Sequence, residues 1–271
     1  MTPTIDFPVR RLFGVPIHAV TREQAIEACD RFIVAKTHLL VGIVNTAKLV
    51  KMQDQPILRD SVLSSDIVLA DGMGVVWASR ILRRPLPARV TGIDLFLDLT
   101  GLAAEKDYGV YFLGATDEVL DTCIERLRAE HPKLRVAGRR NGYFSDAESD
   151  AVAADIRASG ADVLFVGMTS PLKEIFLSRH GEQLGVLVCH GVGGSFDVVA
   201  GKVKRAPVFW QKCGIEWLYR TLQEPRRMWK RYLVTNSLFA WMMVKELFRG
   251  NSDRPSADTE SAHTSCKRST D

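Results

Sequence analysis

The sequence predicts an α/β protein in which a mostly parallel sheet carries helices on both faces and is followed by a helical, basic C-terminal appendage. Two observations support this fold class. Short, continuously apolar segments alternate with longer amphipathic segments, as strands and helices do in a sheet buried on both faces. After Gly201 the strand-like segments stop, and the chain becomes aromatic and basic. We therefore predict a body, residues 1–201, an appendage, residues 202–249, and a disordered polar tail, residues 250–271.

Apolar runs and helix caps locate the individual elements of the body. Each predicted strand is an apolar run bounded by polar residues or glycine. Helices are expected where Thr21 and the capping box Ser145–Glu148 offer side-chain oxygens to unpaired backbone N–H groups. In chain order, the predicted strands are Leu12–Val20, Leu39–Val44, Asp66–Ala70, Tyr108–Leu113, Leu134–Ala137, Asp162–Gly167 and Gly185–Cys189. The predicted helices are Thr21–Ala35, a helix that begins near Thr46, Val75–Leu82, Asp117–Glu130 and a helix that begins at Ser145.

The segments that directly follow these strands are the expected ligand-binding region. Right-handed crossovers bring the carboxyl ends of parallel strands to one edge of the sheet, where ligands bind in such folds. We therefore expect five segments to converge on one cleft. They are residues 45–46, 71–72, 114–116, 167–171 and 190–197.

The positive charge of the chain is concentrated in the appendage. The whole chain carries a net charge of +4, whereas residues 202–249 carry +8. Four of the five tryptophans also lie there. Basic and aromatic residues together are typical of a segment that lies on an anionic membrane surface. The alternative is a basic helix that packs on the body with its charges in solvent. Nucleic acid is not an expected partner, because the body is mildly acidic and no nucleic-acid-binding fold is recognisable.

The N-terminus and the cysteines predict a cytoplasmic protein, and the basic appendage would make it peripheral on the inner face of the membrane. Residues 1–11 lack the apolar core of a signal peptide, and no run of about 18 apolar residues offers a transmembrane helix. The five cysteines are scattered without a C-x-x-C pair. Such a set fits a reducing compartment and argues against a zinc site.

A glycine-rich turn follows the last predicted strand, at Gly191–Ser195. Gly193 and Gly194 would let backbone N–H groups approach an anion closely. The turn is not a dinucleotide fingerprint, because Phe196 stands where G-x-G-x-x-G needs glycine, and it lacks the G-K-[ST] of a Walker A loop. The alternative is a purely structural turn.

Three polar residues are further candidates for a site. Asp71 ends a strand, where its carboxylate can act as a general base toward a substrate hydroxyl or can cap the next helix. Asn45 can hydrogen-bond a substrate or cap its own helix. Arg89 can pair with a diphosphate or form a surface salt bridge. Cys189 and His190 have no partner residue at motif spacing, and we interpret them as packing residues.

Several segments, in a fixed order, carry a more specific signal. The glycine-rich turn opens a seventeen-residue run from Gly191 to Pro207. The other segments are Val44–Ala47, Ala70–Gly74, Arg89–Gly92, Asn141–Phe144 and Glu216–Arg227. At these spacings, over roughly residues 12–231, the chain resembles the WecG/TagA/CpsF glycosyltransferase family.

The resemblance implies an inverting glycosyltransferase with a Rossmann-like catalytic domain, residues 1–201, and an appendage that meets the membrane. Members transfer a hexose or N-acetylhexosamine, often N-acetylmannosamine, from a UDP-sugar donor to a saccharide on polyprenyl diphosphate. Their products feed bacterial exopolysaccharide and other cell-surface polysaccharides. Relatives form dimers or trimers, so a homo-oligomer is open for this chain.

Neither a cofactor nor a metal is expected. No two aspartates stand two residues apart, so the chain lacks the D-x-D pair with which many nucleotide-sugar transferases hold a divalent ion. The leaving diphosphate would then need Arg, Lys or backbone donors.

Site residues follow from the matching positions. Asp71 matches the proposed catalytic base, and Arg220 and Arg227 match appendage arginines thought to engage the diphosphate. Lys173 stands where many members have Gln, and Ile43 stands where some have Thr, so N-acetylmannosamine is not carried over as the donor sugar. The predicted substrate-binding residues are Asn45, Thr46, Arg89, Lys173, Gly193, Gly194, Asp197, Arg220 and Arg227.

Two other function classes remain as alternatives. A nicotinamide-dependent oxidoreductase would carry a glycine fingerprint at the first strand–helix turn, where Val44–Ala47 has no glycine. A non-catalytic, nucleotide-binding scaffold recruited to the membrane would tolerate the change Asp71→Asn.

Overall fold

The protein is described by a computed structural model over residues 3–207, 209–210, 216–223 and 225–249, and the predicted tail lies outside the described residues. The strands are β1 (Val9–Leu12), β2 (Val15–His18), β3 (Leu39–Val44), β4 (Ile67–Ala70), β5 (Gly109–Gly114), β6 (Arg135–Arg140), β7 (Val163–Gly167) and β8 (Val188–Gly191). An antiparallel hairpin is formed by β1 and β2. The other six strands form a sheet in the order β4-β3-β8-β7-β5-β6, and every neighbouring pair in it is parallel.

Helices connect the strands and end the described chain. Those with both ends described are α1 (Arg22–Val34), α2 (Thr46–Asp54), α3 (Pro56–Leu63), α4 (Met73–Ile81), α5 (Gly92–Lys106), α6 (Asp117–Glu130), α7 (Ser149–Ala158), α8 (Leu172–His180), α9 (Ser195–Val199), α10 (Glu216–Gln223) and α11 (Pro225–Arg249). Two short 3₁₀ helices lie at Asp146–Glu148 and Gly181–Leu184.

Side chains of the central strands point alternately into two helical layers. In β5, Val110 and Phe112 pack in the cluster formed with α1, α5 and α6. Tyr111 and Leu113 pack in the cluster formed with α7 and α8 on the opposite face. Because a strand has a side-chain period of two, this alternation buries both faces of the sheet. The predicted α/β fold class is therefore confirmed.

The strand predicted over Leu12–Val20 is wrong, because the chain turns back within it. Phe13 and Gly14 join β1 to β2 with φ values of 54° and 76°. Positive φ at both central residues gives the type I′ turn that tight hairpins favour. A phenylalanine is uncommon in that conformation, so no local pattern predicts the turn. The hairpin flanks edge strand β4, whose Val68 N–H donates to Nδ1 of His18 at 3.0 Å.

The last predicted strand, Gly185–Cys189, is displaced along the chain. Gly185 has a φ of 66° and closes the 3₁₀ helix before it, so β8 begins only at Val188. The cap at Thr21 and the capping box at Ser145 are confirmed. Four helices, α3, α5, α8 and α9, were not predicted.

Helix α11 packs on the body through one face and exposes the other. The buried Phe239 ring lies 5.2 Å from that of Phe13, and Arg84 Nη1 lies 3.1 Å from Glu246 Oε1. None of the helices within the described residues is both long and apolar enough to cross a membrane. The exposed large apolar side chains of α11 are Trp229, Leu233, Val234, Leu238, Trp241, Val244, Leu247 and Phe248.

The change Gly167→Ala should lower the free energy of unfolding by about 1–3 kcal/mol, the usual range for overpacking. A Cβ at Gly167 would lie 2.3 Å from the Phe196 ring, which is closely surrounded by other aromatic rings. Gly101→Ala is the matched control, because its Cβ would meet only His131 at 3.4 Å and alanine favours a helix. Urea denaturation of both variants measures the difference. Equal stability of the two would contradict the packing described for Gly167.

Candidate active site

The segments that follow the strands lie along one edge of the sheet, as predicted. Backbone hydrogen bonds continue the strand pairing beyond the strand ends. Asp71 N–H donates to Val44 O at 2.7 Å, and Ala115 N–H donates to Gly167 O at 3.2 Å. Because all six strands run in one direction, their carboxyl ends share this edge. We call it the carboxyl edge.

Asn45 and Thr46 follow β3 at the carboxyl edge. Asn45 is the N-cap of α2, since its Oδ1 accepts a hydrogen bond from Lys48 N–H at 2.9 Å. The capping interpretation of Asn45 is therefore confirmed, and substrate binding by this residue stays a prediction. Thr46 lies against the first turn of α4, because a Cβ built on Gly74 would be only 2.6 Å from Thr46 Cγ2.

Asp71 follows β4 and is half-buried. The alternative that Asp71 caps the next helix is wrong. Helix α4 begins at Met73, earlier than predicted, and its N-cap is Gly72, which provides no side chain. Gly72 has a φ of 94°, a conformation that suits glycine and turns the chain sharply after Asp71. The carboxylate is thus held at a strand end beside Asn45.

Arg89 is brought to the same place by a backbone contact. The neighbouring Val90 N–H donates to Ala70 O at 2.8 Å, so the segment that contains Arg89 lies alongside the end of β4. Arg89 Nη1 lies 3.7 Å from Glu216 Oε2, and 18% of the Arg89 side chain is exposed. Arg89 therefore forms an ion pair, but with the first residue of α10 and not at the open surface.

His190 anchors the other end of this segment. Its ring is fully buried, and Nε2 donates to Gly92 O at 3.0 Å, at the start of α5. Burial lowers the pKa of His190 to about 4, with a smaller effect from nearby lysines, so the ring is neutral near pH 7. Cys189 is also fully buried. The interpretation of both residues as packing residues is confirmed.

A second ion pair fixes the start of α5. Arg205 Nη2 lies 2.6 Å from Asp94 Oδ1, and the Thr91 hydroxyl donates to Asp94 Oδ2 at 2.5 Å. Burial alone would raise the pKa of Asp94, but the Thr91 and Arg205 hydrogen bonds lower it below its ordinary value. The carboxylate therefore stays charged and ties the segment after α9 to the loop that carries Arg89.

The glycine-rich turn is compact and packs on the end of β7. Val192 and Gly193 N–H both donate to Val166 O, at 2.9 and 3.3 Å. Gly194 and Asp197 lie close together, since a Cβ on Gly194 would be 3.9 Å from Asp197 Oδ2. The carbonyl of Asp197 also accepts hydrogen bonds from the backbone of residues 202 and 203. The structural interpretation of the turn is thus supported, and its binding role stays a prediction.

Lys173 belongs to a buried charge cluster, which we define as Lys48, Lys173 and Glu174. At most 9% of each side chain is exposed. Glu174 Oε1 accepts from Lys48 Nζ at 2.8 Å and also from Lys173 Nζ. Burial and the charge of Lys48 lower the pKa of Lys173 to about 8. Burial alone would raise the pKa of Glu174, but the two ammonium groups lower it to about 2.

The second carboxylate oxygen of this cluster borders a small cavity. Glu174 Oε2 is buried and has no hydrogen-bond partner among the residues that the structure describes. The cavity measures about 20 Å³ and is lined also by Gly42, Ser61 and Ser65. A single water molecule fits a cavity of this size.

The two predicted arginines of the appendage lie on helices. Arg220 is on α10 and Arg227 is on α11, and the side chains of both lie outside the described residues. Arg220 follows Glu216 by four residues, about one turn of α10, so its backbone lies near the residue that pairs with Arg89.

Several charged residues of this region were missed by the sequence analysis. Lys48 and Glu174 look like ordinary surface charges of amphipathic helices, so no local pattern marks them. Arg205 lies in the run from Gly191 to Pro207 and Glu216 in the segment Glu216–Arg227, and neither residue was among the predicted site residues. Only contacts across the fold show that these charges are paired.

Replacing His190 with glutamine should flatten the dependence of stability on pH. The free imidazole has a pKa of about 6.5, whereas the folded one has a pKa of about 4. Because folding lowers this pKa, the His190 contribution is complete above about pH 6.5 and is lost as pH falls toward 4. The change His190→Gln keeps a donor for Gly92 O and removes about 3 kcal/mol of the stability difference between pH 7.5 and pH 4. Urea denaturation across this range measures it; parallel curves for both proteins would rule the effect out.

The chain is similar to known proteins over most of its length. The model of the glycosyl transferase WecG/TagA/CpsF family matches residues 10–253. A Bacillus spizizenii N-acetylglucosaminyldiphosphoundecaprenol N-acetyl-beta-D-mannosaminyltransferase is 41% identical over 175 residues, which cover 64% of this chain and 67% of the relative. The Bacillus subtilis protein of the same name is 36% identical over 174 residues, with the same two shares. The family match spans most of the chain and includes the whole carboxyl edge. The chain therefore belongs to the WecG/TagA/CpsF family of glycosyltransferases.

Proposed function

We propose that this chain transfers a hexose or N-acetylhexosamine from a UDP-sugar to a saccharide carried on polyprenyl diphosphate. The product would enter a bacterial exopolysaccharide or another cell-surface polysaccharide. The observation that carries this proposal is the meeting of a carboxylate, Asp71, and a cation-bearing segment, Arg89-Val90, at the end of β4. The names of the two Bacillus relatives support an N-acetylated amino sugar as donor and an undecaprenyl-diphosphate sugar as acceptor.

The chemistry is a single displacement with inversion at the anomeric carbon. Asp71 accepts the proton of the acceptor hydroxyl while that oxygen forms a bond to the anomeric carbon. The bond from this carbon to the UDP oxygen breaks, and UDP leaves with the bonding electrons. Arg89 binds the diphosphate and offsets the charge that develops on it. Asn45, Thr46 and the turn that holds Gly193, Gly194 and Asp197 bind the rest of the donor.

The appendage completes the diphosphate site. The ion pair between Glu216 and Arg89 supports a position of α10 beside the donor. Arg220 and Arg227 then join Arg89 as cations for the leaving group, which suits a reaction that needs no metal. Because the segment after α9 is tied to α5 through Arg205 and Asp94, the appendage starts from a fixed point next to the site.

The exposed face of α11 binds the membrane surface on which the acceptor resides. Trp241 and Phe248 are 57% and 77% exposed, and they lie opposite the face on which Phe239 is buried. Residues 202–249, which include α11, carry a net charge of +8. Apolar side chains at the headgroup boundary together with cations near anionic lipid are the features of an interfacial helix.

Replacing Asp71 with asparagine should lower kcat by about 10²–10⁴-fold, the usual contribution of a general base. The assay measures UDP release from a panel of UDP-hexoses and UDP-N-acetylhexosamines, with a short-chain polyprenyl-diphosphate sugar as acceptor. Wild-type activity should persist in EDTA. Asp60→Asn, at an exposed position on α3, is the matched control and should keep wild-type activity.

The outcome separates the proposed reaction from the alternatives. Acceptor-dependent release that is lost in Asp71→Asn supports the reaction and identifies the donor sugar. If the wild type releases UDP from no donor and UDP does not raise its melting temperature, the transferase proposal is wrong and a scaffold is favoured. Stabilisation by NADH instead would favour an oxidoreductase.

Replacing Trp241 and Phe248 with serine should weaken binding to vesicles that contain phosphatidylglycerol by about tenfold or more, because two large apolar side chains are lost from the interface. Vesicle flotation measures the bound fraction, which should also fall as salt rises. The control is the pair Val34→Ser and Ile57→Ser on the body, each 68% exposed in the wild type. An equal loss in the control pair would contradict a specific role of α11.

A further inference from the structure

The buried charge cluster lies behind the candidate active site and has an unbalanced charge. Two lysines and one glutamate carry a net charge of +1 in a region where at most 9% of each side chain is exposed. Removing charges from water costs several kcal/mol per ion, and packing with apolar residues of similar size would avoid that cost. The cluster is therefore costly to bury, unlike the apolar core, and its contacts show which elements it joins.

Lys48 connects the cluster both to the end of β3 and to Asn45. Its Nζ, held by Glu174, donates to Ile43 O at the end of β3. Its backbone N–H donates to the Asn45 side chain. The ammonium group of Lys48 thus holds the end of β3. The backbone N–H of Lys48 holds the side chain of Asn45, which lies in the loop between β3 and α2.

From this loop the contacts continue to the turn that holds Asp71. Thr46 touches Gly74, and Asp71 N–H donates to Val44 O. A shift of the first turn of α2 would therefore move Asn45 and disturb the turn after β4. Displacements of about 1 Å can cost about 10²-fold in rate when reacting groups must be aligned.

Lys173 enters the cluster from another element and makes different contacts. Its methylene groups lie against Gly191, since a Cβ there would be 3.2 Å from Lys173 Cδ and Cε. Its ammonium group donates to Glu174. The two lysines are therefore not equivalent, because only Lys48 bonds directly to the loop that carries Asn45.

We propose that Glu174 and Lys48 are positioning residues for the transfer reaction, and that their ion pair holds the first turn of α2, with Asn45, against the Asp71 turn. Neither side chain touches substrate. Lys173 balances part of the local charge and packs on Gly191, and the positioning does not depend on it. This role rests on the sugar transfer proposed above.

The test compares two variants that each leave a one-to-one ion pair in the cluster. Lys48→Met leaves Glu174 paired with Lys173, whereas Lys173→Met leaves Glu174 paired with Lys48. Both remove one buried ammonium, and both put an apolar side chain of similar length in its place. Lys48→Met should lower kcat by about tenfold or more. Lys173→Met should lower kcat less than Lys48→Met does. Because Lys173 is also a predicted substrate-binding residue, its own loss is expected as a higher KM for the donor.

Glu174→Gln and a distant control complete the set. Glu174→Gln removes the shared acceptor charge and should lower kcat as Lys48→Met does. Ser149→Ala breaks a buried hydrogen bond to His180, 2.8 Å long, outside the carboxyl edge. This change should lower the melting temperature and leave kcat unchanged, so it separates lost stability from lost alignment. If Glu174→Gln does not fold, the comparison of the two methionine variants still decides.

The outcomes are distinct. A loss of kcat in Lys48→Met that exceeds the loss in Lys173→Met supports positioning. Equal kcat values in the two methionine variants, or losses that merely follow the melting temperatures, overturn it even when the wild type is active. A wild type that turns over no donor overturns the proposed reaction and this role with it.

Discussion

The backbone hydrogen bond from Asp71 to Val44 is the contact on which the candidate site depends. It extends the pairing of β3 and β4 by one residue, so the carboxylate lies beside the loop that begins with Asn45. The bond from Val90 to Ala70 adds a third segment, with Arg89, to the same strand end. Both contacts use main-chain atoms. The backbone positions of Asp71 and Arg89 relative to each other are therefore set by main-chain contacts at the end of β4.

Buried and partly buried charges around this edge occur in pairs or clusters that link separate elements. Asp94 and Arg205 join α5 to the segment after α9, and Glu216 reaches Arg89 from α10. Glu174 joins α8 to α2 through Lys48. A buried ion that lost its partner would be costly, so the Lys48–Glu174 pair resists separation of α2 from α8 most strongly. The two partly exposed pairs contribute less. The loops at the edge are consequently held by specific polar contacts in addition to apolar packing.

The body and the appendage divide the proposed chemistry between them. The body supplies Asp71 from the end of β4 and Arg89 from the segment that lies alongside it, at the edge where parallel sheets bind ligands. The appendage would supply further cations and the membrane contact, although the side chains of Arg220 and Arg227 lie outside the described residues. Helix α11 has apolar side chains on two opposite faces. Phe239 is buried against the hairpin, while large apolar residues such as Trp241 face away from it. Such a helix can pack on the body and meet lipid at the same time.

The sequence by itself determined the parallel sheet, its two helical faces and the strand ends that meet at one edge, because apolar runs and caps such as Thr21 are local signals. It also marked Asp71, Asn45 and Arg89 as candidates. Only the tertiary structure decided that Asn45 is a cap and Asp71 is not, because a cap depends on where each helix begins, within one or two residues. The hairpin was missed because its turn places Phe13 at a positive φ. The partners of Lys48, Glu174 and Arg89 were also decided only by the fold, since ion pairs between residues far apart in the chain leave no periodic trace in the sequence.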